Sequence, residues 1–239
     1  MQVINGYLKV NRKSLRIRLR EVIPASLGLG PHGSIANMSW LKSLPSNSRL
    51  FEVFQAFPET ARPLIEYHEA LMRGPSPFTV GERELIAAYV SGLNSCGFCR
   101  SIHAQTAAAF GIDIQLFHAL LTDHELAQVS ASLRPVLSFV KKLTLFPGRM
   151  IPADAETVLA AGWDDRALHD AAAICGLFNL MNRLVDGLGI QADVDYAQFV
   201  AQHLATDGYA AFLPLLPAVP SGQCWANISA MHNLSLDVV

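Results

Sequence analysis

Apolar side chains recur with the period of an α-helix along most of this chain. From about Leu50 to about Leu204 they repeat every three to four residues, as on the buried face of a helix. No stretch alternates apolar and polar positions for long enough to require a β-sheet. The pattern therefore predicts an all-α protein, organised as a compact bundle of several helices.

Capping residues, prolines and glycines divide this pattern into separate helices. Thr79 and Glu82 match the capping box that opens a helix, and we predict that this helix runs to about Leu93. Asn94 and Ser95 then offer an N-cap, which places residues 96–110 in the next helix. The other helices are predicted over 51–72 with breaks at Pro58 and Pro63, over a short segment after Asp113 or Thr122, and over 131–145, 153–161 and 165–188.

Composition favours a soluble protein over a membrane protein. Apolar residues make up 51% of the 239 residues and charged residues 16%, a balance that both classes can show. The longest apolar segment, residues 167–190, contains six polar or charged side chains. A helix that faces lipid does not tolerate that density of polar groups, so we expect a helical protein with a large buried core.

The distribution of charge suggests three regions. Residues 1–37 carry six basic residues and one acidic residue, whereas the rest of the chain is acidic. An acidic body without a basic stripe argues against nucleic acid as a partner. We interpret 1–37 as a disordered or mis-annotated leader, with a nucleic-acid arm or transit-like peptide as alternatives, 38–205 as the helical domain, and 206–239 as a C-terminal arm or tail.

The cysteines direct attention to one short segment. No N-terminal apolar stretch marks secretion, so we expect a cytoplasmic location, where a CxxC is more often catalytic or metal-binding than structural. Cys96 and Cys99 form such a motif. Cys175 lies in an apolar helical run and is interpreted as an inert core residue, and Cys224 lies in the tail-like region.

Four residues around the CxxC could form a thiol redox centre. Cys99 and His103 are four positions apart, hence on one helical face, where an imidazole can take up the thiol proton and later return it. Cys96 lies on the same side and can attack a sulfenic acid formed on Cys99. Glu84 belongs to the preceding helix, which a short turn folds back, so its carboxylate can orient His103.

Other interpretations of these residues are weaker. A structural zinc site needs two further ligands at suitable spacing, and the remaining cysteines are isolated. Chelation of a metal by Cys96, Cys99, His103 and Glu84 together stays an alternative. A thioredoxin-like fold would place the CxxC after a strand, and nothing before Cys96 has the pattern of one.

The order Glu84, Cys96-x-x-Cys99, His103 resembles the signature of the alkylhydroperoxidase D-like branch of the carboxymuconolactone decarboxylase family. The likeness is strongest over 78–112. The later run 178–189 resembles the uncharacterised peroxidase-related members of the family, so the similarity extends over much of 50–205. The resemblance implies an all-helical fold of the alkylhydroperoxidase D-like type that forms homo-oligomers, with the CxxC at a helix N-terminus.

The resemblance also implies an activity. Characterised relatives reduce hydroperoxides or pass electrons from dihydrolipoyl-type donors to a peroxiredoxin partner. On that pattern Cys99 reacts with the peroxide, Cys96 resolves the product, and His103 with Glu84 relays the proton. Some members of the family carry a second histidine just before the latter cysteine, where this chain has Phe98. The decarboxylases proper lack the CxxC, which counts against their activity here.

The run 178–189 places polar side chains along one helical stripe. Asn179, Asn182, Arg183 and Asp186 recur at spacings of three and four residues. The stripe could line the active-site pocket or contact another subunit. The alternative is an internal pair of Arg183 with Asp186 on a solvated face.

These patterns lead to one functional expectation and two alternatives. We expect a thiol peroxidase or disulfide reductase of antioxidant defence that cycles Cys96 and Cys99 between dithiol and disulfide and requires no haem, flavin or metal. The pKa of the reactive thiol would be lowered from about 8.5 by the helix terminus and His103. The alternatives are a redox-sensing module with slow CxxC oxidation, and a metal-assisted lyase that uses His103 and Glu84.

Overall fold

The computed structural model describes residues 39–122 and 129–219. The expected leader at 1–37, the residues from 220 onward and Cys224 with them lie outside the described residues. Within the two described ranges the regular structure is helical and no strand occurs. The prediction of an all-α protein is confirmed.

The chain folds into a series of α-helices joined by short connections. They are α1 Leu50–Ala56, α2 Pro58–Arg73, α3 Val80–Leu93, α4 Gly97–Ala109, α5 Ile114–Thr122, α6 Leu133–Leu145, α7 Pro152–Ala160, α8 Asp165–Gly187 and α9 Val194–Thr206. Two 3₁₀ helices cover Pro147–Arg149 and Ala210–Leu215.

Helix α3 is the centre of the bundle. Ten of its fourteen residues are buried, because α4, α5, α6 and α8 all pack against it. A helix that is enclosed on most of its surface needs apolar side chains all round rather than on one stripe. Arg83 and Glu84 depart from this apolar pattern, since both are charged residues that are buried in α3.

The α3–α4 connection differs in detail from the prediction. Asn94 is the C-cap of α3 rather than the N-cap of α4, and Ser95 adopts the left-handed conformation with φ of 60°. Cys96 occupies the N-cap position. The Asn94 side chain is engaged elsewhere, since its Nδ2 donates to Asn182 Oδ1 at 2.8 Å.

Most other helix boundaries follow the predicted signals. Thr79 and Glu82 form the capping box of α3, and Asp113 begins α5 by accepting a hydrogen bond from Gln115 N at 2.9 Å. Pro58 opens α2. Pro63, expected to break or restart the helix, lies inside α2; it is exposed, so water can reach the carbonyl that it leaves without a helical partner.

The residues that follow α9 return to the bundle. Glu69 of α2 accepts hydrogen bonds on Oε2 from the backbone N–H groups of Tyr209, at 2.8 Å, and Ala210, at 2.9 Å. Two bonds to one carboxylate oxygen hold the start of the second 3₁₀ helix against α2, and Tyr209 becomes buried. Part of the segment 206–239 is thus packed on the helical domain.

In the described ranges, no helix combines the length and the apolar character needed to cross a membrane.

The capping box of α3 provides a test of the fold. Thr79→Ala removes the hydrogen bond from Glu82 N to Thr79 Oγ1, so we expect the free energy of unfolding to fall by about 1 kcal/mol. Urea denaturation followed by circular dichroism measures the change. Thr157→Ala is the control, because Thr157 is an exposed threonine inside α7 whose hydroxyl bonds only backbone carbonyls. Equal effects of the two substitutions would contradict the role of the cap.

Candidate active site

A buried carboxylate, Glu84, organises the site. Its side chain is fully buried. Oε2 contacts His103 Nδ1 at 2.7 Å, and Oε1 accepts from Arg73 at 2.7 Å and from the Tyr209 hydroxyl at 3.1 Å. The contact between Glu84 and His103 that the helical hairpin predicted is therefore confirmed.

The charge of Glu84 fixes the tautomer of His103. Burial opposes ionisation, but the hydrogen bonds and charges of His103 and Arg73 outweigh it and hold the pKa of Glu84 below its ordinary value. An ionised carboxylate only accepts hydrogen bonds, so Nδ1 of His103 carries the hydrogen. In the neutral ring Nε2 then has a free lone pair, which is the atom that a general base needs.

Arg73 and Tyr209 were not predicted as site residues. Arg73, at the end of α2, donates to Glu84 and also to the Leu204 carbonyl at 2.9 Å, and its guanidinium lies 4.9 Å from the Tyr209 ring. The sequence places Arg73 in an expected loop and Tyr209 in an expected tail. No local pattern links either residue to Glu84, which lies 11 and 125 positions away.

The two cysteines lie at the N-terminus of α4, as predicted. Cys96 is the N-cap and Cys99 is the third helical residue. Both are buried free thiols. Burial this deep means that a reactant must enter a cavity of the protein in order to reach either sulfur.

The two thiols have different acidities. The Cys99 side chain lowers the pKa of Cys96 against the opposing effects of burial and of the Asp186 carboxylate. Cys96 and burial together raise the pKa of Cys99 well above its ordinary value. The expectation that the helix terminus and His103 lower the pKa of the reactive thiol, Cys99, is therefore wrong, because its pKa is raised; the thiol with the lowered pKa is Cys96, and the cause is Cys99. The two thiols therefore titrate as a coupled pair.

An apolar cavity reaches Cys99 and His103. Its internal volume is about 90 Å³, enough for a small organic molecule or a few waters. Cys96 does not line it. Apart from Cys99, the polar side chains in its wall are His68, His103, Tyr196 and Tyr209. Its apolar wall consists of Leu50, Phe51, Phe54, Ile65, Phe98, Ile102, Phe178, Met181, Val200, Leu204 and Phe212.

A polar groove contains most of the polar stripe of α8. It is lined by Asn94, Asn182, Arg183, Asp186 and Gly187. Asn182 is buried and donates to the Ser91 hydroxyl at 3.0 Å, and it lowers the pKa of Cys99. In the described part of the chain no ion pair joins Arg183 to Asp186; Arg183 instead bonds the carbonyl and side chain of Asn179.

The predicted site residues thus lie in one region, but one hydrogen bond that the proton relay needs is missing. Glu84 bonds His103, and Cys96 interacts with Cys99. Cys99 and His103 share the cavity wall, yet within the described residues no hydrogen bond joins them. A molecule in the cavity would have to complete the path for a proton. Over the same residues, no group of three or more His, Cys, Asp or Glu side chains is arranged to hold a metal ion.

Fold and site together define an all-helical protein with a buried CxxC beside a Glu–His pair. Residues 58–141 match the carboxymuconolactone decarboxylase family. A peroxidase-related protein from Silicibacter sp. TM1040 has a similar structure, with a TM-score of 0.59 and 25% identity over 70% of this chain and 98% of that one. The chain is thus similar to the carboxymuconolactone decarboxylase family over these residues, and its fold is of the alkylhydroperoxidase D-like type.

Two further proteins are similar to this chain. The alkylhydroperoxidase AhpD core of an uncharacterised peroxidase-related protein from Ralstonia eutropha JMP134 shares the fold, with a TM-score of 0.60 and 24% identity over 80% of this chain and 90% of its own. The uncharacterised protein YdfG of Bacillus subtilis (strain 168) is 27% identical over 110 residues, which are 46% of this chain and 75% of YdfG.

The coupling of the two thiols gives a prediction for their titration. We expect the Cβ resonances of ¹³C-labelled cysteine to show one thiolate forming below the ordinary pKa of 9.0 and a second forming well above it. In Cys99→Ser the pKa of Cys96 should rise, because its main acidifying partner is lost. In Cys96→Ser the pKa of Cys99 should fall toward its ordinary value.

The distant Cys175 is the internal reference for this titration, since burial raises its pKa independently of the pair. Wild-type curves for Cys96 and Cys99 that coincide with those of the single variants would contradict the coupling.

Proposed function

We propose that this protein is a thiol-dependent hydroperoxide or disulfide reductase that cycles Cys96 and Cys99 between dithiol and disulfide. The observation that carries the proposal is the apolar cavity, into which Cys99 and His103 both face. The hydrogen bond between Glu84 and His103 supports it, because this bond leaves Nε2 of His103 free to accept a proton.

In the first step Cys99 attacks the hydroperoxide. Its thiol proton passes through a molecule in the cavity to Nε2 of His103, and the thiolate attacks the terminal oxygen of ROOH. The O–O bond breaks, Cys99 becomes a sulfenic acid, and the leaving alkoxide takes the proton from His103 to give ROH. Cys99 is oxidised by two electrons and the peroxide is reduced by two.

In the second step Cys96 resolves the sulfenic acid. The sulfur of Cys96 attacks the sulfur of Cys99, and the S–O bond of the sulfenic acid breaks. The thiol proton of Cys96 ends on the leaving hydroxide, which departs as water, and a Cys96–Cys99 disulfide remains. Cys96 suits this role because it is the more acidic thiol of the pair and does not line the apolar cavity. The charge of Asp186 stabilises the protonated form of Cys96 before the reaction.

A dithiol donor must then reduce the disulfide. The polar groove contains Asn182 and Asp186, and both side chains interact with the thiols, which supports an approach of the donor from that groove. We propose a dihydrolipoyl-type donor or a peroxiredoxin-type protein partner in the cytoplasm. The similarity to a peroxidase-related protein supports a role in peroxide reduction, and hence in antioxidant defence.

A lyase is the second candidate, because the matched family is named for a decarboxylase and because the Glu84–His103 pair could act on a carbon acid. Such an enzyme would not need the thiols. A redox sensor, by contrast, would oxidise the CxxC once and stop after about one equivalent of peroxide.

Cysteine substitutions separate these functions. With dihydrolipoamide and tert-butyl hydroperoxide, we expect multiple turnovers of the wild type and a loss of at least about 10²-fold in Cys99→Ser, since the nucleophile is gone. In Cys96→Ser, mass spectrometry with dimedone should trap a sulfenic acid on Cys99, because nothing resolves it.

Cys175→Ser is the matched control and should keep wild-type turnover. A sulfenic acid found on Cys96 rather than Cys99 would reverse the assigned roles. Unchanged activity of Cys99→Ser on a carbon acid would favour the lyase, and a single turnover would favour the sensor.

We further propose that the protein forms homo-oligomers. Several large apolar side chains are exposed on the described chain, among them Trp40, Phe146, Ile151 and Val194, and subunit contacts are a common way to bury such surface. Light scattering after size exclusion should give a multiple of 26.0 kDa. A mass equal to that of one chain at micromolar concentration would refute the proposal.

A further inference from the structure

His68 is a buried histidine of the cavity wall that the sequence analysis did not single out. It lies in α2, and its side chain lines the cavity together with Cys99 and His103. Its ring packs against Tyr209, with centroids 5.2 Å apart, and meets Phe178 edge-on at 5.9 Å. The same Phe178 ring meets His103 edge-on at 4.5 Å. The two histidines therefore flank one phenylalanine at the cavity.

The hydrogen bond of His68 determines which of its two ring nitrogens can accept a hydrogen bond from a ligand. Nδ1 lies 2.8 Å from the Leu64 carbonyl oxygen. A carbonyl only accepts, so Nδ1 carries the hydrogen and Nε2 carries the lone pair. Within the described residues no hydrogen bond to Nε2 is formed.

The ring also stays neutral. Burial lowers the pKa of His68 to about 4, an effect that the nearby His103 reinforces. At neutral pH His68 therefore contributes an acceptor to an apolar cavity and no positive charge. Such a group selects a neutral ligand that carries a hydrogen-bond donor.

We propose that Nε2 of His68 accepts a hydrogen bond from the terminal O–H of a bound hydroperoxide and thereby holds the terminal oxygen near Cys99. A hydroperoxide has one O–H donor, and that donor sits on the oxygen that the thiolate attacks. The donor stays on this oxygen when it becomes part of the Cys99 sulfenic acid, so the same bond can persist in the product. The inference rests on the proposed function, since it assigns the substrate contact of that site.

The bond contributes binding rather than chemical activation. An acceptor on the terminal O–H does not withdraw electrons from the O–O bond, and the leaving alkoxide is protonated by His103. His68 is for this reason a substrate-binding residue, and its loss should affect KM for the hydroperoxide more than kcat.

The first experiment measures the contact without any reaction. tert-Butanol carries an O–H donor on the same apolar tert-butyl group as tert-butyl hydroperoxide, but it cannot oxidise a thiol. In ¹⁵N-histidine-labelled protein we expect the Nε2 resonance of His68 to shift saturably on titration with tert-butanol. The control is His203, whose Nδ1 makes the same bond to a carbonyl four residues earlier, at 2.9 Å, and which does not line the cavity. No saturable shift of His68, or an equal shift of His203, overturns the inference.

The second experiment measures turnover. His68→Phe keeps a ring against Tyr209 and Phe178 but removes the acceptor, so KM for tert-butyl hydroperoxide should rise about five- to tenfold, the range expected for one neutral hydrogen bond. kcat should change less than KM. His68→Gln places an acceptor near the former Nε2 and should recover most of the loss, whereas His203→Phe should leave KM unchanged. An unchanged KM in His68→Phe overturns the inference.

The two experiments separate this inference from the proposed function. If the wild type fails to reduce hydroperoxides but tert-butanol still shifts the Nε2 resonance of His68, the proposed activity is refuted. The inference that His68 accepts a hydrogen bond from a neutral O–H donor is then still supported. If the wild type reduces hydroperoxides but His68→Phe leaves KM unchanged and tert-butanol does not shift Nε2, the proposed activity is supported and the role of His68 is refuted.

Discussion

The ionised carboxylate of Glu84 in the middle of α3 is the constraint on which the rest of the site depends. A buried charge is costly unless it is paired and fully hydrogen-bonded. Glu84 receives its partners from three separate parts of the chain: Arg73 at the end of α2, His103 in α4 and Tyr209 after α9. The docking of these elements and the ionisation of Glu84 therefore stabilise one another, and the orientation of His103 follows from both.

This arrangement places the thiols between two different environments. Cys99 and His103 line an apolar cavity. Asn182 and Asp186 of α8, which line a polar groove, also act on the thiols. The segregation also explains why α8 combines an apolar face with a polar stripe.

Contacts that depend on local periodicity could be predicted from the sequence, and contacts between distant segments could not. The spacing of Cys99 and His103 on one helix, and the pairing of His103 with Glu84 across a short hairpin, follow from helical geometry alone. Arg73, Tyr209 and His68 reach the site through the packing of α2 and of the segment after α9, which no motif marks. The N-cap of α4 was misassigned because Asn94 is a good capping residue whose amide is used by Asn182 instead.

Cys96 is the more acidic thiol of the pair, but of the two only Cys99 lines the cavity. A proton that leaves Cys99 for His103 would create the thiolate at the cavity. A ligand that fills the space between Cys99 and His103 would also close the gap in the proton path. Reactivity of this pair would then depend on occupancy of the cavity, so that the buried CxxC is protected from oxidation while the cavity is empty.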